Sequence, residues 1–136
     1  MKKIAIVVPC YNEENRIFRQ AFIDYAERNP NVSIYFYNDG SSDKTLEVIM
    51  ELSQKGNNIF YIDGGVNKGK AEGVRSALLN IYEQKLGFDY YGFIDADLAA
   101  PLEEINNLAN YFSDEKKIIS GARVKMVGRD IVRSMF

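Results

Sequence analysis

Histidine is absent from the 136 residues. No Ser-His or Cys-His catalytic pair can be built within the chain, and no imidazole is available as a metal ligand. Acid–base or metal chemistry therefore falls to carboxylates. Cysteine is nearly absent: Cys10 stands alone, which excludes an internal disulfide and fits a reducing compartment. With no base placed to activate its thiol, Cys10 reads as inert packing. There is no excess of positive charge either. Lys and Arg number 17 against 19 Asp and Glu, a net charge of −2, so there is no general basic face for nucleic acid. Long apolar runs are also missing, and no window approaches the ~18 continuous apolar residues of a spanning helix. Met1-Lys2-Lys3 ahead of Ile4 to Val8 faintly resembles a leader, but Pro9 and the polar run Asn12 to Asn15 cut the apolar stretch short. The chain as it stands is expected to be soluble and cytoplasmic.

What is present suits one globular domain: 46% of the residues are hydrophobic, enough for a core that folds alone. Lys3 to Val8 is a β-branched run typical of a strand buried on both faces. Ile17, Phe18, Ala21, Phe22 and Tyr25 then recur at helical spacing until Asn29-Pro30-Asn31. Val32 to Tyr37 predicts a second strand, followed by a helix with Leu46, Ile49 and Met50 on its inner face. Asn58 to Ile62 predicts a third, followed by a long helix marked by Ala71, Val74, Ala77, Leu78 and Ile81. Tyr90 to Ile94 is the fourth. Pro101 stands at the start of another helix, running to about Phe112 with Glu103 and Glu104 in its first turn. Ile118 and Ile119 predict a fifth strand into Gly121. This rhythm implies an α/β fold with a mostly parallel sheet and helices on both faces.

In such sheets ligands sit beyond the carboxyl ends of the strands. The loops expected there carry Tyr11-Asn12-Glu13, Asp39-Gly40-Ser41-Ser42-Asp43, Asn67-Lys68-Gly69-Lys70 and Asp95-Ala96-Asp97. In an extended chain residues i and i+2 share a face, roughly 6–7 Å apart, so Asp95 and Asp97 can converge on one Mg²⁺ or Mn²⁺. The plainer alternative is an exposed acidic turn. Asp39 can accept the imino N–H of a uracil or guanine ring, or simply form a turn. Asp43 reads as a helix cap. Glu13 can serve a ribose or base, or cap the first helix. Lys68 and Lys70 are either solvated loop charges or partners for a diphosphate near the following helix N-terminus. Gly64-x-x-x-x-Gly69-Lys70 matches much of a phosphate-binding P-loop, yet Ala71 stands where that loop needs a hydroxyl for Mg²⁺. An ATP-binding P-loop-like NTPase is the competing class, and no G-x-G-x-x-G follows the first strand to support a dinucleotide site.

The ordered set VVPCYNEE, NDGSSDKT, NKGKAEGVRSAL, DADLAAP and SGARV resembles the family 2 glycosyltransferases of the GT-A fold over nearly the whole chain. Within them it looks most like the polyprenyl-phosphate hexose synthases, in particular the dolichyl-phosphate glucose synthase group. Ala99 stands where the related mannose synthases more often carry glutamine. The resemblance implies a donor pocket lined by Pro9, Tyr11 and Glu13, with Asp39 at the base and Lys68 and Gly69 approaching the nucleotide. It implies Asp95 and Asp97 as the catalytic, metal-binding acids, Asp97 foremost, with Mg²⁺ or Mn²⁺ as cofactor. Arg123, joined by Arg129 and Arg133 unless these form only a basic tail, would face the donor diphosphate or an anionic acceptor.

The implied reaction is inverting transfer of a hexose, with UDP-glucose the favoured donor, to a polyprenyl phosphate. The alternative is a nucleotide-sugar-binding unit without turnover. Family members continue into an acceptor-binding segment and often into membrane-associated helices. Residues 1–136 are thus expected to be a single nucleotide-sugar-binding GT-A domain, an N-terminal part whose parent would work at the cytoplasmic face of a membrane.

Overall fold

The computed structural model describes residues 2–98, 100–111, 118–120 and 124–128. Strands β1 (Ile4–Cys10), β2 (Val32–Asn38), β3 (Ile59–Asp63), β4 (Tyr90–Ile94), β5 (Ile118–Ser120) and β6 (Val124–Gly128) form one six-stranded sheet in the order β3-β2-β1-β4-β6-β5. β1 lies parallel to both β2 and β4, and β2 parallel to β3. β6 runs antiparallel to β4, with β5 antiparallel to it at the edge. Helices α1 (Arg19–Arg28), α2 (Thr45–Ser53), α3 (Lys70–Glu83) and α4 (Glu103–Tyr111) complete the described elements.

The alternation of side chains along β1 explains the layers. Ile4, Ile6, Val8 and Cys10 enter one core with Phe22 and Tyr25 of α1, Val48, Ile49 and Leu52 of α2, and Ile105 and Leu108 of α4. Ala5 and Val7 enter the other, with Tyr35 and Tyr37 of β2, Tyr91 of β4, and Val74, Ala77, Leu78 and Ile81 of α3. Each fully buried aliphatic side chain contributes roughly 1.5–3 kcal/mol. The sheet is thus covered on both faces, as the near-continuous apolar runs of β1 and β2 require.

Several local expectations are corrected. α1 begins at Arg19, because residues 12–14 are held by the neighbouring loop in a non-helical path. Phe18 is consequently 56% exposed rather than part of a buried helical stripe. On α2 the buried positions are Thr45, Val48, Ile49 and Leu52; Met50, one residue past that stripe, is 42% exposed. Ala71 is likewise exposed in the first turn of α3. Helix α4 starts at Glu103, two residues after Pro101. The antiparallel strand β6 was not expected.

The chain moves from β1 through β2 to β3 on one side of the sheet and then returns to place β4 on the other side of β1. This reversal opens a crevice at the carboxyl ends of β1 and β4, the position where open α/β sheets bind ligands. The opposite rim is closed by side chain-to-backbone bonding: Asn58 Nδ2 donates to the carbonyls of Ala26 (2.9 Å), Asn29 (3.2 Å) and Val32 (2.8 Å).

Candidate nucleotide and metal site

Three loops on the carboxyl rim are laced into one surface. From the β1–α1 loop, Asn12 N–H donates to Ser41 Oγ (3.0 Å) and Glu13 N–H to Thr45 Oγ1 (2.8 Å), while Ser42 N–H donates to Asn12 Oδ1 (2.9 Å). Thr45 is fully buried, and its hydroxyl donates in turn to Asp43 Oδ1. Asp43 Oδ1 also accepts from Thr45 N–H (2.9 Å), so it closes a local turn just ahead of α2, whose N-cap is Lys44 rather than Asp43 as the sequence suggested. Burial raises the Asp43 pKa, but the hydrogen bonds from Thr45 and the Glu14 N–H outweigh it and leave the carboxyl below its ordinary range.

The β2 and β3 loops are joined by Asp39. Its side chain is only 4% exposed; Oδ1 accepts from Lys68 N–H (2.8 Å) and Oδ2 from Gly69 N–H (3.0 Å). Asn67 Nδ2 donates to the Asp39 carbonyl at 3.1 Å. The approach is close enough that a Cβ on Gly40, which sits at φ +66°, would lie 2.3 Å from Asn67 N. Only glycine fits there. These bonds also distinguish the loop from a P-loop. The Lys68 and Gly69 amides, which in such a loop would cradle phosphates, here point at a carboxylate of the protein itself.

The acidic pair comes from β4. Asp95 to Leu98 is not an extension of the strand: Leu98 N–H donates to the Asp95 carbonyl (3.1 Å), and Leu98 has φ +52°. The expected strand alternation is therefore replaced by a turn, with Ala96 packed into the core at 3% exposure. Asp95 and Asp97 nevertheless line the same cleft, of about 390 Å³, together with Pro9, Tyr11, Glu13, Asp39, Gly69 and Lys70. Turn geometry, rather than the period of a strand, brings them together. Lys70 Nζ forms an ion pair with Asp95 Oδ1 and lies 5.6 Å from the Phe93 ring centroid.

Glu13 Oε2 is buried without a hydrogen-bond partner among the described residues. Burial raises the Glu13 pKa; Arg16 opposes this, and the carboxylates of Asp97, Asp43 and Asp95 reinforce it. The acids of the β1 and β4 loops thus feel one another, although among the described residues no three His, Cys, Asp or Glu side chains are grouped to hold a metal. One or two carboxylates with open positions are what Mg²⁺ ordinarily takes from protein when phosphate supplies the rest. The donor set fits such an ion, which Asp95 and Asp97 would hold.

Of the sequence-predicted residues, Pro9, Tyr11, Glu13, Asp39, Gly69, Asp95 and Asp97 meet at the cleft. Lys68 does not line it: its Nζ reaches toward Ser76 Oγ at 3.4 Å. Arg123, Arg129 and Arg133 lie outside the described residues. Lys70, offered by the sequence beside Lys68 as a diphosphate partner, lines the cleft instead. Cys10 is 1% exposed, burial followed by the nearby Glu13 charge pushes its thiol pKa up, and its Sγ donates to Val8 O at 3.4 Å. Its expected inertness agrees with this environment.

The family description "Glycosyl transferase family 2" matches residues 5–133. The chain belongs to this family. A dolichyl-phosphate beta-glucosyltransferase of Trichomonas vaginalis is 28% identical over 88% of this chain and 39% of its own length. A dolichol-phosphate mannosyltransferase of Pyrococcus furiosus is 30% identical over 93% of this chain and 35% of its own. The chain therefore spans less than half the length of these relatives. A mannosyltransferase structure from Pyrobaculum calidifontis, solved with GDP-Man and Mn²⁺, superposes with a TM-score of 0.76 at 14% identity, over 98% of this chain and 46% of that one. The family 2 chain has the GT-A, Rossmann-like fold. Among its described residues no helix is long and apolar enough to cross a membrane.

Proposed function

We propose that this chain forms the donor-binding part of an inverting glycosyltransferase that moves a hexose from a nucleoside-diphosphate sugar, UDP-glucose in the favoured form, to a polyprenyl phosphate. The observation that carries this reading is the meeting of the Asp95–Asp97 turn with Tyr11, Glu13 and Asp39 in one cleft at the reversal of strand order. The glucosyl- and mannosyltransferase relatives support the substrate class.

In this reading Tyr11, half exposed at the cleft, offers a ring face to the base. Each Asp39 oxygen already accepts one backbone N–H and retains acceptor capacity for an imino N–H of that base. Glu13 Oε2, buried and unpartnered, accepts from a ribose hydroxyl. A divalent cation held by Asp95 and Asp97 would supply charge stabilisation to the departing nucleoside diphosphate. The acceptor phosphate, with a second pKa of about 6, is already anionic near neutral pH and attacks the anomeric carbon from the opposite face without a strong general base. As the C–O bond to the donor breaks, its electron pair leaves with the diphosphate. A lipid acceptor would bring the reaction to a membrane surface, in this reading the cytoplasmic one.

Calorimetric titration with UDP, GDP, UDP-glucose, GDP-mannose and ATP, each with Mn²⁺ or with chelator, tests the donor site. Metal-dependent binding of a uridine nucleotide is expected. A preference for ATP overturns the reading. Formation of glucosyl polyprenyl phosphate then separates a transferase from a nucleotide-sugar-binding unit.

A further inference from the structure

Lys70 is the cleft residue whose position calls for a role beyond lining. Its ammonium is paired with Asp95 Oδ1, one of the two carboxylates assigned to the cation. The two side chains differ in setting: Asp95 is 19% exposed and Lys70 56% exposed. The lysine stem is long and reaches the acid from the solvent side, whereas Asp95 is fixed by the turn whose carbonyl accepts from Leu98 N–H. The lysine is thus the partner free to leave. Its Cα is in turn anchored, because the two preceding residues donate their amides to the buried Asp39 carboxylate. A side chain pivoting on a fixed base can exchange one anion for another within its reach.

We propose that Lys70 is a resident counter-cation of the acidic turn. Its ammonium holds the Asp95 carboxylate in the ligand-free protein and must withdraw before that carboxylate serves a divalent cation. Free metal therefore binds weakly. A nucleoside diphosphate offers the displaced ammonium a new anionic partner, so nucleotide and metal bind more tightly together than either does alone. The inference rests on the assignment of Asp95 and Asp97 as metal holders.

The test is a direct titration of the 136-residue chain with Mn²⁺, reading the free-ion electron paramagnetic resonance signal, with and without UDP. Wild type is compared with Lys70→Gln, Lys70→Arg and Lys68→Gln, each first shown by circular dichroism to be folded. A partly screened ion pair of this kind limits metal affinity by about fivefold, so Lys70→Gln should bind Mn²⁺ alone about fivefold more tightly than wild type. Lys70→Arg should stay near wild type because it keeps the competing charge. Lys68→Gln removes a charge two residues away whose side chain does not reach Asp95, and should change the affinity by less than about twofold. The enhancement of Mn²⁺ binding by UDP should shrink in Lys70→Gln. Equal Mn²⁺ affinity in wild type and Lys70→Gln, the same gain from Lys68→Gln, or an unchanged UDP enhancement overturns the counter-cation role while leaving the metal assignment standing. Absence of Mn²⁺ binding in all four proteins, even with UDP, overturns both.

Discussion

Replacing Asp39 with Asn keeps the shape of the side chain and removes its charge, which makes it a sharp probe of the clamp between the β2 and β3 loops. The carboxylate accepts two backbone N–H groups, at 2.8 and 3.0 Å, from a site only 4% exposed. An asparagine can accept one of them and must turn its own amide N–H₂ toward the other. One charge-assisted bond is lost, the second becomes neutral, and one buried N–H is left without an acceptor, for a total of about 2–3 kcal/mol. For a domain of this size that corresponds to a fall in Tm of roughly 6–12 °C. Thermal unfolding followed by circular dichroism measures it, and hydrogen exchange at the Lys68 and Gly69 amides should accelerate more than at the centre of α3. If Asp39→Asn melted within 2 °C of wild type yet lost nucleotide binding, the carboxylate would serve the ligand alone and the clamp would be refuted.

Other perturbations separate the site from its scaffold. Asp97→Ala should abolish metal-dependent nucleotide binding in calorimetry while changing stability by no more than about 0.5 kcal/mol, because the residue lies exposed on a turn; retained Mn²⁺-dependent binding would remove it from the metal site. Asp43 has a depressed folded-state pKa, so its contribution is present above the ordinary carboxylate range and disappears as pH falls through that range toward the folded value. Urea unfolding should show Asp43→Asn less stable than wild type at pH 7, with the gap closing in acid; a constant gap would contradict the ionised hydrogen-bond acceptor. Asn58→Ala should cost about 1–3 kcal/mol and leave nucleotide affinity unchanged, because Asn58 bonds three carbonyls on the rim away from the cleft; altered nucleotide affinity would show that the two rims are coupled.

Much of the architecture was legible because buried strands announce themselves. The run at Ile4–Val8 is apolar without alternation, that at Val32–Tyr37 is broken only by Ser33, and Val74, Ala77, Leu78 and Ile81 keep helical spacing; the apolar residues of all three enter the cores. Placing the loops that follow these strands on one rim also identified most of the cleft. What failed depended on contacts that no local pattern encodes. The delayed start of α1 follows from hydrogen bonds to Ser41, Thr45 and Asp43, some thirty residues away. The acidic turn replaces a straight strand because Ala96 is drawn into the core. Strand β6 pairs with β4 across thirty or more positions, and its five residues Val124–Gly128 are too short to declare themselves. Lys68 and Lys70 could not be ranked from spacing, since what separates them is whether the side chain reaches Ser76 or Asp95.

The pairing of β1 with β4 has a consequence for how the molecule comes together. β1 meets β2 over a short crossover, but its other edge waits for a segment far along the chain: Lys3 N–H is bonded to Asp89 Oδ2, 86 positions away. The side of the cleft built from the loops after β1 and β2 can therefore assemble early from near neighbours, whereas the acidic side arrives only when the most distant closure in the parallel core is made. A ligand touching both sides acts as a clasp across that seam. Its binding free energy is added to the one pairing on which the completeness of the site depends.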